Sequence, residues 1–275
     1  MTAINPAQLK IQAAEIAALV DEPQRLIPRL HDLFAFYGDR IRQTSLSKTP
    51  LSLRTYQAPA PVLRALEIEF RDQLEAKPTA GVSLADALWS EHWVEFRQLA
   101  VFSLSCLPPE NPKEILRQIK RWLDDCSAED IRRLVMTQGL QRLGAEKPEA
   151  SLGFIEELIQ SNTKADQQAA LFGLSYIASE ENFLNLPLLY KSLEHILASE
   201  ETGLVKEVST LLRILIRRSE QESAFFLSQQ LSGKTQERVS RVARQVLKSF
   251  SPENQHRLRE KLAGDKPGAK PAQIK

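Results

Sequence analysis

The feature that most constrains the fold is a pair of helices that recurs roughly every 35 residues. Apolar residues return at helical spacing through nearly the whole chain, and the alternation typical of strands is almost absent. A pair of small or apolar residues returns at intervals of 35, 35, 39 and 34 residues, and we assign it to the second helix of each unit. The five pairs are Leu99-Ala100, Leu134-Val135, Ala169-Ala170, Val208-Ser209 and Val242-Ala243.

The first helix of each unit recurs at a similar interval. Its apolar positions Leu123, Ile159, Leu197 and Leu231 are 36, 38 and 34 residues apart. One hairpin of two helices cannot bury its own apolar face, so hairpins of this kind stack on their neighbours. The repeat therefore predicts an all-α protein, an αα-superhelix (solenoid) of HEAT-like helical hairpins.

The same repeat predicts how the chain is organised. We expect about fourteen helices. Residues 1–21 are predicted to form an N-terminal helix or cap, and residues 22–263 the HEAT-like repeat solenoid. Residues 264–275 contain Pro, Gly and Lys with little to bury, which predicts a disordered C-terminal tail.

Several helix starts are marked by capping residues. Asn5-Pro6 and Asn111-Pro112 each combine a capping side chain with a proline for the first turn, and an acceptor side chain follows three residues after the cap. Looser versions of the signal begin at Ser83, Ser127 and Ser219.

Overall charge does not identify a nucleic-acid binder. The chain has 36 Lys and Arg against 35 Asp and Glu, so a basic surface must come from local arrangement. The two cysteines fit a reducing compartment rather than a disulfide framework. The N-terminal residues lack the apolar run of a signal peptide, and no stretch of 18 apolar residues predicts a membrane span. We therefore expect a cytoplasmic protein.

Two of the three tryptophans lie in the stretch "LWSEHWVEFRQLAVFSL". Ser90 is predicted to cap a helix, with Trp89 and Val94 forming a hydrophobic staple across the cap. Trp93 then faces a neighbouring helix, and His92 is a surface residue. This interpretation favours packing over catalysis for both tryptophans.

The first half of the chain resembles the DNA alkylation repair family, whose HEAT-like members excise alkylated bases. The resemblance rests on "YQAPAPVLRALEIEF" followed by "ALWSEHWVEFRQLAVFSL", and it covers about residues 30 to 107. It implies a HEAT-like fold and a DNA partner. The matching positions are Pro61, Leu63, Arg64, Trp89, Glu95, Arg97 and Ala100.

The resemblance also implies a catalytic region in the next unit. Active members carry a Trp-rich run that ends in a catalytic Asp, with an Arg beyond it. The comparable stretch, "RWLDDCSAEDIRRLVMTQGL", has one tryptophan and no Trp-Trp-Asp arrangement. Ser127 and Asp130 can instead form a capping box, which is a structural role. The catalytic candidates in this stretch are Trp122, Asp125, Asp130 and Arg132.

No other catalytic or metal-binding pattern is present in the sequence. Its four histidines are far apart and lack metal-ligand spacing. There is no Gly-x-Ser-x-Gly, phosphate-binding loop or dinucleotide-binding fingerprint. We predict no metal site and no cofactor. The histidines are His31, His92, His195 and His256.

The positions just before the repeated pair are rich in basic residues. Five of the ten residues are Arg or Lys and one is acidic. On the concave face of a solenoid this row would follow a phosphate backbone; alternatively it is a solvated helix face whose cations pair with Glu95, Asp130 and Glu237. The nucleic-acid-binding candidates are Arg97, Gln98, Arg132, Arg133, Gln167, Gln168, Lys206 and Arg241. Residues that would widen the row are Arg213, Arg217, Arg238, Arg244 and Lys248.

Together these features predict a HEAT-like repeat binding scaffold with a basic concave groove. Its partner would be DNA or an acidic protein surface, and it would act without catalysis. The alternative is a DNA glycosylase that excises alkylated, cationic purine bases. The two functions require different surfaces. A glycosylase needs a carboxylate and an aromatic ring exposed together in the groove, whereas a scaffold needs only the basic row.

Overall fold

A computed structural model describes residues 4–38, 53–161, 163–198, 203–233 and 236–263. In these ranges the chain is helical and contains no strand, so the all-α class is confirmed. The one isolated β-bridge recorded there joins Arg54 and Trp93 in parallel. The predicted C-terminal tail, residues 264–275, lies outside the described residues.

The chain divides into two compact units, Met1–Phe154 and Ile155–Lys275. Helices wholly within the first unit are α1 (Pro6–Ala17), α2 (Pro23–Gly38), α3 (Ala60–Ala76), α4 (Pro78–Ser90), α5 (Val94–Ser105), α6 (Pro112–Asp125), α7 (Glu129–Thr137) and α8 (Gln141–Glu146). The unit boundary falls within α9 (Pro148–Gln160). The second unit contains α10 (Lys164–Ser179), α11 (Leu186–Ala198), α12 (Val205–Arg218), α13 (Glu220–Gln230), α14 (Gln236–Val246), the 3-10 turn Leu247–Ser249 and α15 (Pro252–Ala263).

Some of the predicted helix starts are confirmed and others are wrong. Asn5 caps α1, because its side-chain oxygen accepts hydrogen bonds from the backbone N–H groups of Ala7 and Gln8. The predicted starts of α6 and α13 are also correct, although neither cap makes a side-chain bond to the backbone. The capping box at Ser127 is wrong, since Ala128 is the N-cap of α7.

The predicted helix start at Ser90 is also wrong. Ser90 is the last residue of α4, and its hydroxyl donates to the carbonyl of Asp86 one turn earlier. That bond satisfies the hydroxyl inside the helix, so Ser90 does not cap the helix that follows. The next helix begins at Val94, with Trp93 at its N-cap. His92 is exposed, as predicted.

The repeated small or apolar positions lie in the core. The second member of each pair is buried, in α5, α7, α10, α12 and α14 alike. In the first unit α3 packs on α5 and α5 on α7; in the second, α10 packs on α12 and α12 on α14. Small residues at these contacts allow neighbouring helices to approach closely. The buried positions are Ala100, Val135, Ala170, Ser209 and Ala243.

Among the described helices, none combines the length and the apolar character of a membrane-spanning segment.

The turn between α10 and α11 is held by a cation. The Arg218 guanidinium donates hydrogen bonds to four backbone carbonyls of this turn, at 2.6 to 3.2 Å. The planar group spreads its donors over a fixed fork, so one side chain binds several carbonyls of the turn at once. The carbonyls belong to Ala178, Glu180, Glu181 and Phe183.

The contact between α13 and α15 contains a carboxylate with three donors. Glu220 accepts hydrogen bonds from the Asn254 amide at 2.7 Å, and from the Ser251 hydroxyl at 2.5 Å and backbone N–H at 2.8 Å. These bonds, with the Asn254 amide first, hold the pKa of Glu220 below its ordinary value. The ionised form is therefore the one that stabilises the packing of α15.

We expect Arg218→Lys to lower the free energy of unfolding by about 1–3 kcal/mol, because an ammonium group cannot reach all four carbonyls. Urea denaturation followed by circular dichroism measures the change. The neighbouring, exposed Arg217→Lys is the control and should stay within about 0.5 kcal/mol of the parent protein. Equal effects of the two substitutions would contradict the role given to Arg218.

We expect the stabilising effect of Glu220 to depend on pH. Its pKa is lower in the folded than in the unfolded protein, so the stabilisation is present above the unfolded pKa and is lost as the pH falls through the folded pKa. Thermal unfolding of the parent and of Glu220→Gln from pH 7 to pH 3 should show a difference that closes toward low pH. The exposed Glu253→Gln serves as the control. A difference that stays constant over this range would refute the proposed coupling.

Candidate functional site

A tryptophan, an arginine and an aspartate from three helices meet in the first unit. The indole Nε1 of Trp89 donates to Asp125 Oδ2 at 2.9 Å, and Arg97 donates to the same oxygen at 3.0 Å. The Arg97 guanidinium carbon lies 4.3 Å from the centre of the Trp89 ring, within the range of a cation–π contact. Arg97 is buried, whereas Asp125 is 54% exposed.

The Trp89 ring is also stacked on Trp122. The ring centres are 4.4 Å apart and the planes differ by 7°. Trp122 is completely buried and Trp89 is 5% exposed, so neither ring offers a free face at the surface. The packing role predicted for Trp89 therefore agrees with its position. We call these four residues the α4–α6 cluster: Trp89, Arg97, Trp122 and Asp125.

The other two catalytic candidates, Arg132 and Asp130, belong to α7. Arg132 is buried and donates to the backbone carbonyls of Leu123 and Cys126, at 3.2 Å for Cys126. It thereby satisfies carbonyls at the end of α6, which is a structural role. Asp130 is an exposed residue in the first turn of α7. The structure thus brings together Trp122 and Asp125, but it gives Arg132 a separate task.

Much of the predicted basic row points into the protein. Arg97, Arg132 and Gln167 are 3 to 5% exposed, so direct contact of these side chains with DNA would require them to leave their positions. Gln167 donates to the carbonyl of Ser161 at 3.2 Å, and Gln168 donates to Glu207 at 2.7 Å. These residues lie in the first turns of their helices, where polar side chains bond to neighbouring loops and helices.

Members of the row that reach the surface differ in their partners. Arg133 pairs with Glu129 at 2.8 Å, and Arg241 pairs with Glu237 at 2.6 Å, each along its own helix. Lys206 is exposed and Gln98 is half-buried. Of the residues predicted to widen the row, Arg213, Arg217, Arg244 and Lys248 are exposed. Arg238 is half-buried and donates to the carbonyl of Leu197 at 2.9 Å.

The first unit contains a second polar and aromatic cluster, which is not predicted from the sequence. His31 of α2 lies between two partners: its Nδ1 is 2.7 Å from the Tyr56 hydroxyl, and its Nε2 is 3.2 Å from a Glu91 oxygen. Tyr56 is stacked on Trp93, with ring centres 3.9 Å apart and planes 13° apart. In the sequence, only the motif around Tyr56 pointed to this cluster. His31 and Glu91 are 60 residues apart, so they form no local pattern.

Comparison with known protein families decides the assignment. The model of the family described as "DNA alkylation repair enzyme" matches residues 52–256, about three quarters of the chain. The chain belongs to this family. No curated protein matches it. The match extends well beyond the region that carries the resemblance in the sequence analysis, and it includes the α4–α6 cluster.

In this member of the DNA alkylation repair enzyme family, one residue of the motif that carries the resemblance has a clear structural task. Glu95 is buried, and its Oε1 accepts hydrogen bonds from the Thr55 hydroxyl at 2.8 Å and the Ala58 backbone N–H at 3.2 Å. The bridge between Arg54 and Trp93 holds the start of the same segment. Gln57, between these contacts, has a φ of 53°, a backbone conformation that non-glycine residues rarely adopt. The segment around Tyr56 is therefore fixed from several sides.

We expect Trp89→Ala to lower the free energy of unfolding by about 3–5 kcal/mol, because it removes a buried ring and leaves a cavity against Trp122. Trp89→Phe keeps a ring but removes the N–H donor to Asp125, so its effect should be smaller. Urea denaturation gives both values. Trp93→Ala, at a half-buried ring, is the comparison and should cost less than Trp89→Ala. A cost below about 1 kcal/mol for Trp89→Ala would contradict the packing role.

Proposed function

We propose that this protein is a HEAT-like repeat scaffold of the DNA alkylation repair enzyme family that binds DNA and does not catalyse base excision at the α4–α6 cluster. Family membership supports a function related to DNA repair. The observation that carries the non-catalytic part is the hydrogen bonding of Asp125, whose Oδ2 already accepts from both Trp89 and Arg97.

The chemistry of base excision explains why this observation matters. A cationic alkylated base would be held by the face of an aromatic ring, and a carboxylate would stabilise charge or position water. Trp89 and Trp122 are buried and stacked on each other, so a base cannot lie on them without disrupting the core. The Arg97 guanidinium also partly neutralises Asp125. Each feature favours a structural role over a catalytic role for the α4–α6 cluster.

The scaffold part of the proposal rests on helix packing within each unit. Alternate helices contact one another, as stacked hairpins require, and the repeated small positions are buried. We take DNA rather than an acidic protein as the partner because the family description names DNA. A reducing compartment such as the cytoplasm suits the two buried free cysteines, Cys106 and Cys126.

One observation favours the alternative, a glycosylase for alkylated purines. Asp125 is 54% exposed although two donors bind it, so one side of the carboxylate faces solvent next to an indole. A substrate that displaced Arg97 would meet a carboxylate beside an aromatic ring. The two proposals therefore differ in a property that can be measured directly.

We expect no protein-dependent release of base from duplex DNA that carries 7-methylguanine, because the Asp125 carboxylate and the tryptophan faces are already engaged. The measurement counts abasic sites by alkaline cleavage under single-turnover conditions, with protein in excess and with unmodified DNA as the blank. Asp125→Asn, which removes the charge and keeps the size, is the matched variant.

Protein-dependent abasic sites would contradict the non-catalytic proposal. If they disappeared in Asp125→Asn, the glycosylase alternative would hold and Asp125 would be its carboxylate. If they persisted in that variant, catalysis would lie outside the α4–α6 cluster. Binding of the intact protein to the same duplex, measured in parallel, tests the scaffold part separately.

A further inference from the structure

The second unit has an open groove between α11 and α13, with a volume of about 620 Å³. Tyr190 of α11 contacts Ser223 of α13. Further along, Glu194 of α11 contacts Gln230 of α13, so the two helices run in the same direction. Three of the residues that line the groove are aromatic and three are charged. We define the α11–α13 groove by these six: Tyr190, Lys191, Glu194, Glu222, Phe225 and Phe226.

An exposed aromatic ring forms one side of the α11–α13 groove. Phe225 is 72% exposed, more than any other aromatic side chain in the part of the chain that the structure describes. Its neighbour Phe226 is buried and lies against Tyr190, with ring centres 5.2 Å apart and planes 39° apart. A single exposed ring is ordinary on a protein surface, but three rings that line one groove are typical of a binding surface.

The Tyr190 ring is held in place by its hydroxyl. Ser223 donates its only hydroxyl hydrogen to the carbonyl of Ser219 at 2.9 Å, so Tyr190 donates to Ser223 at 2.8 Å. Burial raises the pKa of Tyr190 above its ordinary value, and the negative charge of Glu222 also raises it. The phenol therefore stays neutral at physiological pH, and the Glu222 carboxylate lies near this ring.

The rim of the α11–α13 groove carries more negative than positive charge. Glu194 and Glu222 are exposed carboxylates, whereas Lys191 is the one cation among the lining residues. Glu194 accepts a hydrogen bond from Gln230 at 3.1 Å. Glu222 makes no ion pair with any residue that the structure describes. Its charge is therefore available to a ligand that enters the groove.

The opposite side of Phe225 has the reverse charge. A second groove lies there, between α13 and α15, and its charged residues are Arg257 and Lys261 against Glu260. Phe225 thus separates a groove with a net negative charge from one with a net positive charge. A cation that approaches the exposed ring is attracted to the α11–α13 side.

We propose that the α11–α13 groove binds an arginine side chain of a partner protein, with aliphatic residues beside that arginine. The face of an aromatic ring attracts a cation, and a planar guanidinium stacks on the ring. Its N–H groups also donate to carboxylates, so one arginine can lie on Phe225 and bond to Glu222. A quaternary ammonium group has no N–H donor and would leave the carboxylate without a hydrogen bond.

The dimensions of the groove favour a protein segment over a small free cation. From Pro187 to Glu194 the groove follows α11 for seven residues, which is about 10 Å. This length accommodates an arginine together with a neighbouring aliphatic side chain, and the backbone of the partner would cover Phe225. The inference concerns a different surface and a different partner from the DNA-binding proposal and does not depend on it.

The test uses two blocked tripeptides as probes: acetyl-Leu-Arg-Leu-amide and the same peptide with citrulline in place of arginine. Citrulline keeps the size and the planar shape of arginine but carries no charge. Titration of the full chain, followed by NMR, gives both affinities. We expect the citrulline peptide to bind at least about tenfold more weakly, because it loses the attraction of both the aromatic face and Glu222.

Two variants divide this preference between its sources. Phe225→Leu keeps an apolar side chain and removes the aromatic face, and Glu222→Gln removes the charge and keeps the size. Each should weaken binding of the arginine peptide by about threefold or more and change binding of the citrulline peptide much less. Such a difference between the two peptides distinguishes attraction of a cation from simple apolar contact.

The matched controls make the same substitutions elsewhere. Phe36→Leu changes an exposed ring of α2 in the first unit, and Glu253→Gln changes an exposed carboxylate of α15. Both should leave the affinity for the arginine peptide within about twofold of the parent protein. Circular dichroism and thermal unfolding show that each variant is folded. If Phe225→Leu is not, Glu222→Gln alone provides the comparison with its control.

Several outcomes would overturn the proposal. If the parent protein binds neither peptide, or binds both equally, the groove has no preference for a cation. If Phe225→Leu and Phe36→Leu bind the arginine peptide alike, binding lies elsewhere. Sedimentation velocity tests a different occupant: if the parent self-associates and Phe225→Leu does not, the groove is filled by a second copy of this chain. DNA binding is measured separately and has no bearing on these results.

Discussion

The helices of each compact unit have apolar faces that no helix can cover alone, and this constraint governs both units. Small residues such as Ala100 and Ala243 are buried where alternate helices of one compact unit meet. Close approach at these points brings the first turns of neighbouring helices and loops within hydrogen-bonding distance of one another. Polar side chains such as Gln168 then bond across the contact. The hydrogen bonds between polar side chains of neighbouring helices are thus a consequence of apolar packing.

Much of the fold could be predicted because helical periodicity is a local property of the sequence. The repeat identified the buried positions correctly in all five helices, and Asn5 marked the start of α1. Ser90 was assigned wrongly because a serine hydroxyl can cap a helix or bond to the carbonyl one turn before it, and the sequence does not distinguish these uses. Element boundaries depend on such local competition.

The candidate site was harder to predict, because its contacts join residues far apart in sequence. Trp89 and Asp125 are 36 residues apart, so their hydrogen bond depends on how α4 and α6 pack. The burial of Arg97, Arg132 and Gln167 within the basic row was missed for a different reason. Periodicity identifies the face of a helix on which a residue lies, but not whether another element covers that face. In α12 the burial pattern is also out of register with that of the other four helices, so that Glu207 rather than Lys206 is buried.

The shared oxygen of Asp125 has an evolutionary consequence. Trp89 and Arg97 both donate to it, so the effects of substitutions at the three positions are not independent. Loss of Asp125 alone would leave Arg97 as a buried cation without its counter-charge. A lineage that acquires a free carboxylate here must therefore change several of these residues in concert. Because of this epistasis, single substitutions are selected against, and the arrangement in which Trp89 and Arg97 both bind Asp125 changes slowly during evolution.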